Sequence, residues 1–223
     1  MRLLLVRHGD PNYELDCLTE LGHEQAKIVA KRLMREGIQE IYCSPLGRAR
    51  QTAQPFAEAS GIGEIHILDF MEEIRYGRED ALYQSGTPWL VAMDLIHEGK
   101  NLQVPNWQEY PGYADNTATI DAEKVMAGTD EWLASLGYRR EGLYYRCTNE
   151  DDRKRTLVLF SHGGSSTAFL SRVLNISFPH MMSVLGHLRH TSVTSLRFDR
   201  RPGALAMPIV EYMADAHHLD ETV

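Results

Sequence analysis

The chain has 223 residues, 43% hydrophobic and 24% charged, with a net charge of -8. That suits a folded globular protein of one large domain, or one domain with an inserted lobe. An acidic balance without a Lys/Arg-dense patch interleaved with aromatics disfavours nucleic-acid binding.

The first apolar run, Leu3-Leu4-Leu5-Val6, stops at Arg7-His8-Gly9 and reads as a fully buried parallel strand, too short for a signal peptide. Leu18-Thr19-Glu20-Leu21-Gly22 opens a helix with Thr19 as N-cap. Ala26, Val29, Ala30 and Leu33 recur at helical spacing until Gly37. Ile38 to Cys43 is a second strand, broken by Ser44-Pro45. Arg48 to Ala59 is a second helix, with a kink or restart expected at Pro55. Ile65 to Leu68 is a third strand.

From Gly77 to Asp152 the alternation lapses among Pro88, Pro105, Pro111, Tyr83, Trp89, Trp107, Tyr110 and Tyr113. Within it Asp121 to Leu136 reads as helical and Arg139 to Cys147 as hairpin-like. We expect a helical and irregular insertion at about 78–152 that caps one end of the sheet. Between Glu79 and Leu136 its charged residues are mainly acidic, with Lys100 and Lys124 the basic exceptions. The short run Arg153-Lys154-Arg155 reads as a solvated strand entry. Thr156 to Phe160 is again a buried strand, followed by Ser161-His162-Gly163-Gly164 and a helix from Ser165 to Leu174, with Ser165 and Ser166 read as capping residues. Met181 to Leu188 reads as helical. Thr191 to Phe198 and Ala204 to Tyr212 are strands, joined by a turn that includes Arg200. His217-His218 in the tail reads as solvated.

Strands alternating with helices predict one α/β domain over 1–223, a three-layer α/β/α sandwich around a mostly parallel sheet. Ligands of such sheets bind beyond the carboxyl ends of the strands, where both His-Gly pairs fall. Three cysteines (Cys17, Cys43 and Cys147), widely spaced and without a C-x-x-C pair, argue against a disulfide framework or zinc site and for a reducing, cytoplasmic setting. No apolar run approaches the ~18 residues of a membrane span.

Moving a phosphoryl group without a metal takes an in-line nucleophile, fixed donors for the equatorial oxygens, and an acid for the leaving oxygen. The strand ends offer such parts. His8 is the nucleophile candidate, since a neutral imidazole can form a phosphohistidine that water later cleaves. Arg7 stands beside it, and Arg48 falls in the first turn of the second helix, where free N–H groups also favour anions. His162 ends the fourth strand, with Gly163 at another helix start.

Arg7-His8-Gly9, Leu18-Thr19-Glu20-Leu21-Gly22, Ser44-Pro45 with Arg48-Ala49 and Gln51-Thr52-Ala53, and Ser161-His162-Gly163-Gly164 together resemble the histidine phosphatase superfamily, which includes phosphoglycerate mutases and many small phosphatases. The resemblance implies that Arg7, His8, Arg48 and His162 form the phosphate pocket, that Gly163 adds to it, and that His8 is phosphorylated. The family's acid usually lies in a Glu, three residues, Gly pattern. Glu73-Ile74-Arg75-Tyr76-Gly77 fits it, so Glu73 is the acid candidate, with Glu72 and Asp10 as alternatives. The ordinary role for Glu73 is an ion pair with Arg75 or Arg78. Arg75 is a weaker candidate for an extra phosphate donor.

The sequence departs from the family at Pro11, where relatives carry Thr or Ser, and at Glu14, where they carry Asn. An acidic Glu14 would repel phosphate, so this loop is expected to take another path. The link from Gly9 to Leu18 is also shorter than in the mutases. These features imply a metal-independent phosphatase acting on a small phosphorylated substrate, with no cofactor, nucleic acid or membrane partner. A phosphoglycerate-type mutase is the second reading, and a non-catalytic phosphoryl-binding module the third. The sequence carries no signal of oligomeric state.

Overall fold

The computed structural model describes residues 1–77, 87–149, 155–199 and 201–222. Arg78, Tyr83, Arg153, Lys154 and Arg200, singled out in the sequence, lie outside the described residues. In chain order the elements are β1 (Arg2–Arg7), β2 (Pro11–Asn12), β3 (Cys17–Leu18), α1 (Glu20–Leu33), β4 (Glu40–Cys43), α2 (Gly47–Ser60), β5 (Ile65–Ile67), α3 (Pro88–His97), α4 (Thr117–Ser135), β6 (Tyr138–Glu141), β7 (Tyr144–Cys147), β8 (Thr156–Ser161), α5 (Gly163–Leu174), α6 (Phe178–Leu185), β9 (Val193–Arg197), β10 (Leu205–Ala206) and β11 (Ile209–Asp215).

The central sheet has the order β11-β9-β1-β8-β4-β5. Its β1, β8, β4 and β5 run parallel, β9 adds antiparallel to β1, and β11 adds antiparallel to β9. The apolar runs of β1 and β8 are continuous because both faces of the sheet are covered. Leu4, Val6, Val158 and Phe160 point to one side and pack with Val29, Leu33, Ala53 and Phe56 of α1 and α2. Leu3, Leu5, Leu157 and Leu159 point to the other and pack with Trp132, Leu133 and Phe169 of α4 and α5. This is the three-layer α/β arrangement expected from the strand-helix alternation.

Within the segment expected to cap the sheet, α4 lies along this second face, since Ala118, Ala122, Val125, Trp132 and Leu133 give it an apolar stripe long enough to bury. Asn116 caps it, accepting from Ala118 N–H at 3.0 Å, so the helix starts four residues earlier than periodicity placed it. The hairpin-like stretch is β6 and β7, joined by β10 in a small antiparallel sheet. The assigned span of α2 runs through Pro55 without a break. Among the described residues no helix is long and apolar enough to cross a membrane.

The tail corrects the sequence reading. His218 is 7% exposed. Its Nδ1 accepts from Arg32 Nη1 at 3.0 Å and its Nε2 pairs with Thr191 Oγ1 at 3.1 Å. A polar pair near the chain end reads as solvated only because its partners, on α1 and before β9, are remote in sequence.

Two motifs meet backbone to backbone under the carboxyl ends of the strands. Thr19 caps α1, accepting from Gly22 N–H at 3.1 Å, and its hydroxyl donates to Asp10 Oδ2 at 2.7 Å. A Cβ on Gly22 would lie 2.2 Å from the Asp10 carbonyl oxygen, and one on Gly9 2.7 Å from that of Gly22. Arg7-His8-Gly9 and Leu18-Thr19-Glu20-Leu21-Gly22 therefore need glycine at both contacts.

Candidate active site

The parallel register levels the strand ends. Arg7 sits opposite Ser161 across β1 and β8, and Cys43 opposite Phe160 across β4 and β8. The next residues on these strands, His8, Ser44 and His162, therefore converge, and the His8 and His162 rings lie 5.1 Å apart. Both histidines are fully buried. His8 Nδ1 lies 2.7 Å from the Gly9 carbonyl oxygen. A carbonyl only accepts, so Nδ1 carries the proton and Nε2 keeps its lone pair. His162 Nε2 pairs with Ser44 Oγ at 2.7 Å.

Arg7 and Arg48 flank the pair. Arg7 is fixed by donation from Nη1 to the Leu188 carbonyl. Arg48, in the first turn of α2, donates from Nη1 to Asp16 Oδ1 at 2.6 Å, and the Tyr13 ring lies 5.4 Å from its guanidinium carbon. Four of the six buried side-chain polar atoms without a hydrogen-bond partner among the described residues belong here: Arg7 Nε, His8 Nε2, Arg48 Nε and His162 Nδ1. A buried unpaired polar group costs about 1–3 kcal/mol. Their concentration at one point marks a site shaped for an incoming group that carries acceptor oxygens and an electrophilic centre.

Glu73 completes the cluster. Its Oε1 accepts from the N–H groups of Ile74, Gly164 and Ser165 at 2.9, 3.0 and 3.1 Å. The carboxylate thus rests on the first turn of α5, and a Cβ on Gly164 would lie 2.8 Å from it. Burial raises its pKa, against these N–H donors and the two arginines. The alternatives are placed otherwise. Glu72 is exposed and lies 3.9 Å from Lys124 Nζ. Asp10 accepts from Thr19 and lies 3.5 Å from His190 Nδ1. Gly163, the first residue of α5, lines the same cavity as Arg7, Arg48 and Glu73.

Arg75 is a correction: it turns away from the cavity and holds Asp121 through Nε and Nη2 at 3.0 and 2.9 Å. Asp121, on the inward stripe of α4, is the nearby carboxylate that the sequence did not point to. Ser165 and Ser166 are not capping residues either. The helix begins at Gly163 with His162 as N-cap, and Ser165 Oγ pairs with Ser161 Oγ at 2.9 Å.

The loop after Gly9 folds as the β2–β3 hairpin, which leaves Glu14 exposed and brings Asp16 in instead. Asp16 bridges Arg48 and the N–H of Gly47, the latter at 2.6 Å from Oδ2. His190 is the other residue that sequence reasoning missed, its ring 5.6 Å from that of His8. It comes close because β9 runs antiparallel to β1, with Val193 opposite Val6, so the start of β9 lies beside the end of β1.

Burial pushes the His8 pKa down to about 3, helped by Arg7, Arg48 and His190 and opposed by the Gly9 carbonyl. Burial likewise holds His162 well below the ordinary histidine value, with Arg48, His8 and Arg7 adding to it. Both rings are therefore neutral near pH 7. The unfolded chain binds a proton at His8 below about pH 6.5 that the native state refuses, so His8 withdraws stability as pH falls from there toward 3. At pH 5 the loss from His8 is about 2 kcal/mol. Thermal melts at pH 7 and pH 5 should show a smaller drop for His8→Asn than for the wild type, and equal drops would refute the assignment.

His8, Glu73 and His162 each offer an atom within 4.8 Å of the others. This set has the composition of a cation site, but Arg7 and Arg48 surround it with positive charge, which favours an anion there.

The profile of the histidine phosphatase superfamily (branch 1) matches residues 3–87. A protein named probable phosphoglycerate mutase GpmB from Serratia proteamaculans is 28% identical over 99% of this chain and 95% of its own length. One of the same name from Photorhabdus laumondii is 26% identical over 99% and 95%. Among solved structures, a phosphoserine phosphatase from Entamoeba histolytica superposes with a TM-score of 0.65 at 21% identity, covering 98% of both chains. A mycobacterial glucosyl-3-phosphoglycerate phosphatase gives 0.64 at 21%, covering 96% of this chain and 98% of its own. The profile match over residues 3–87 and the whole-length likeness in sequence and fold make the chain similar to the histidine phosphatase superfamily, and they support phosphoryl-transfer chemistry at the site.

Proposed function

We propose that the protein is a metal-independent phosphatase that hydrolyses a small phosphomonoester through a phosphohistidine at His8. The observation that carries this reading is the cluster of buried, partnerless polar atoms on Arg7, His8, Arg48 and His162. His8 Nε2 attacks phosphorus, and the ester P–O bond breaks as the P–N bond forms. Arg7, Arg48, His162 and the N–H of Gly163 hold the phosphoryl oxygens, where fixed donors act most strongly on developing charge. Glu73, whose protonated form burial favours, gives its proton to the leaving oxygen. Water then attacks phosphorus, returns a proton to Glu73 and restores neutral His8.

The mutase reading has support in the names of the relatives. Against it stand the short hairpin after Gly9 and the engagement of Arg48 by Asp16, which leave little positive charge for a bisphosphate. An assay that follows free phosphate and phosphoglycerate isomers together separates the two. Phosphate release that survives EDTA is expected, whereas isomer exchange with little phosphate release would favour the mutase. Three free cysteines fit a reducing, cytoplasmic setting for this activity.

A further inference from the structure

The cavity beyond the phosphoryl cluster has its own chemistry. Its volume is about 460 Å³, well beyond what a phosphate needs and within the range of small-molecule sites. Beside Arg7, Arg48 and Glu73 the lining includes the apolar and aromatic Ile74, Tyr76, Trp89, Met182 and Leu188, with His187, and the hydroxyl-bearing Tyr13 and Thr167. Tyr76 meets Trp89 edge-on with centroids 5.7 Å apart, and Trp89 meets His187 at 4.7 Å. Tyr76 is 48% exposed although it lines a cavity, so its ring is available to a ligand.

Three nearby cations among the described residues are turned elsewhere. Arg75 is held by Asp121, Arg189 lies 3.0 Å from Asp220, and Lys124 is beside Glu72. Among the described lining residues Arg7 and Arg48 are the only lysines or arginines, and Arg48 already shares its charge with Asp16. A phosphomonoester dianion uses both. A leaving group with a carboxylate would set that charge against Trp89, Met182 and Leu188 without a lysine or arginine among the described residues to meet it, an unfavourable burial. An aromatic or bulky apolar group would instead stack on Tyr76 and Trp89.

We infer that the site selects phosphomonoesters whose leaving group is uncharged and carries an aromatic or bulky apolar face, and that it discriminates against leaving groups bearing a carboxylate. This rests on the phosphatase reading above. Specificity then resides in Tyr76 and Trp89, on either side of the segment 78–86, while the phosphoryl cluster stays common to all substrates.

The test compares benzyl phosphate, methyl phosphate, O-phosphoserine and 3-phosphoglycerate, all esters of primary alcohols or methanol, so that leaving-group reactivity differs little. The expected kcat/KM for benzyl phosphate exceeds that for O-phosphoserine and for 3-phosphoglycerate by tenfold or more, on the order of a single unpaired charge or lost stacking contact. Trp89→Ala, and independently Tyr76→Ala, should lower the ratio of benzyl to methyl phosphate several-fold, mainly through KM. Turnover of either carboxylate-bearing ester at or above the benzyl rate overturns the inference and leaves the phosphatase reading standing. An unchanged benzyl-to-methyl ratio in both variants overturns it as well. Failure to release phosphate from any of the four defeats both.

Discussion

Replacing His8 with alanine should reduce kcat for p-nitrophenyl phosphate by at least about 10⁴-fold, the scale seen when the attacking group of a covalent mechanism is removed. Its Nε2 combines a free lone pair, a tautomer fixed by Gly9 and a pKa of about 3 that keeps the ring neutral. Its neighbours do not offer the same. His162 also has an unpartnered nitrogen, Nδ1, but its Nε2 pairs with a hydroxyl that can donate or accept, so no carbonyl fixes its tautomer, and the hydroxyls of Ser161 and Ser165 are paired with each other. The loss should fall on kcat, because Arg7 and Arg48 still hold the phosphoryl oxygens. An unchanged melting temperature at pH 7 or above separates loss of the nucleophile from loss of the fold. Substantial turnover by His8→Ala would exclude His8 as the attacking group.

The second large effect is expected at Glu73. Glu73→Gln keeps a carbonyl oxygen to accept from Ile74, Gly164 and Ser165 but removes the proton the mechanism transfers. Hydrolysis of benzyl phosphate should fall by about 10²–10⁴-fold, the usual contribution of a positioned acid. In the phosphorylation step, read as the burst of leaving group, the loss should be much smaller for p-nitrophenyl phosphate, whose leaving group departs without a proton. The pH profile carries the sign. The wild-type rate with benzyl phosphate should rise as pH passes upward through the His8 value of about 3, which frees the nucleophile. It should fall once pH exceeds the raised Glu73 value, where the acid is lost. In Glu73→Gln this falling limb disappears. Equal losses in that first step on the two substrates would assign Glu73 to holding α5 in place and leave the acid elsewhere.

The parts of this site that were legible in the sequence are those fixed by one strand end. A strand apolar at every position must be buried on both faces, so β1 and β8 were evident, and His8 and His162 followed from where those runs stop. Arg48 was legible because Ser44-Pro45 ends β4 just before it. Asp16 was not, because its contact with Arg48 depends on how the β2–β3 hairpin seats against α2. His190 was not, because it reaches His8 only through the antiparallel pairing of β9 with β1, and nothing in its neighbouring residues signals that pairing. The helix α3 was also missed. Pro88 reads as a breaker in isolation, yet at the first turn of a helix its fixed φ and missing N–H cost little. That helix carries Trp89, an aromatic of the insertion evident in the sequence, whose place on the cavity wall only the fold shows.

The covalent intermediate is the centre of the account, and trapping it is the most direct test. Glu73→Gln, slowed in water activation, should be mixed with ³²P-labelled p-nitrophenyl phosphate, quenched in base and digested. The account predicts a base-stable, acid-labile label that approaches one per chain on the peptide containing His8 and is absent from His8→Ala. Turnover by the wild type with no label at any time point, or a label on any other residue, would contradict it.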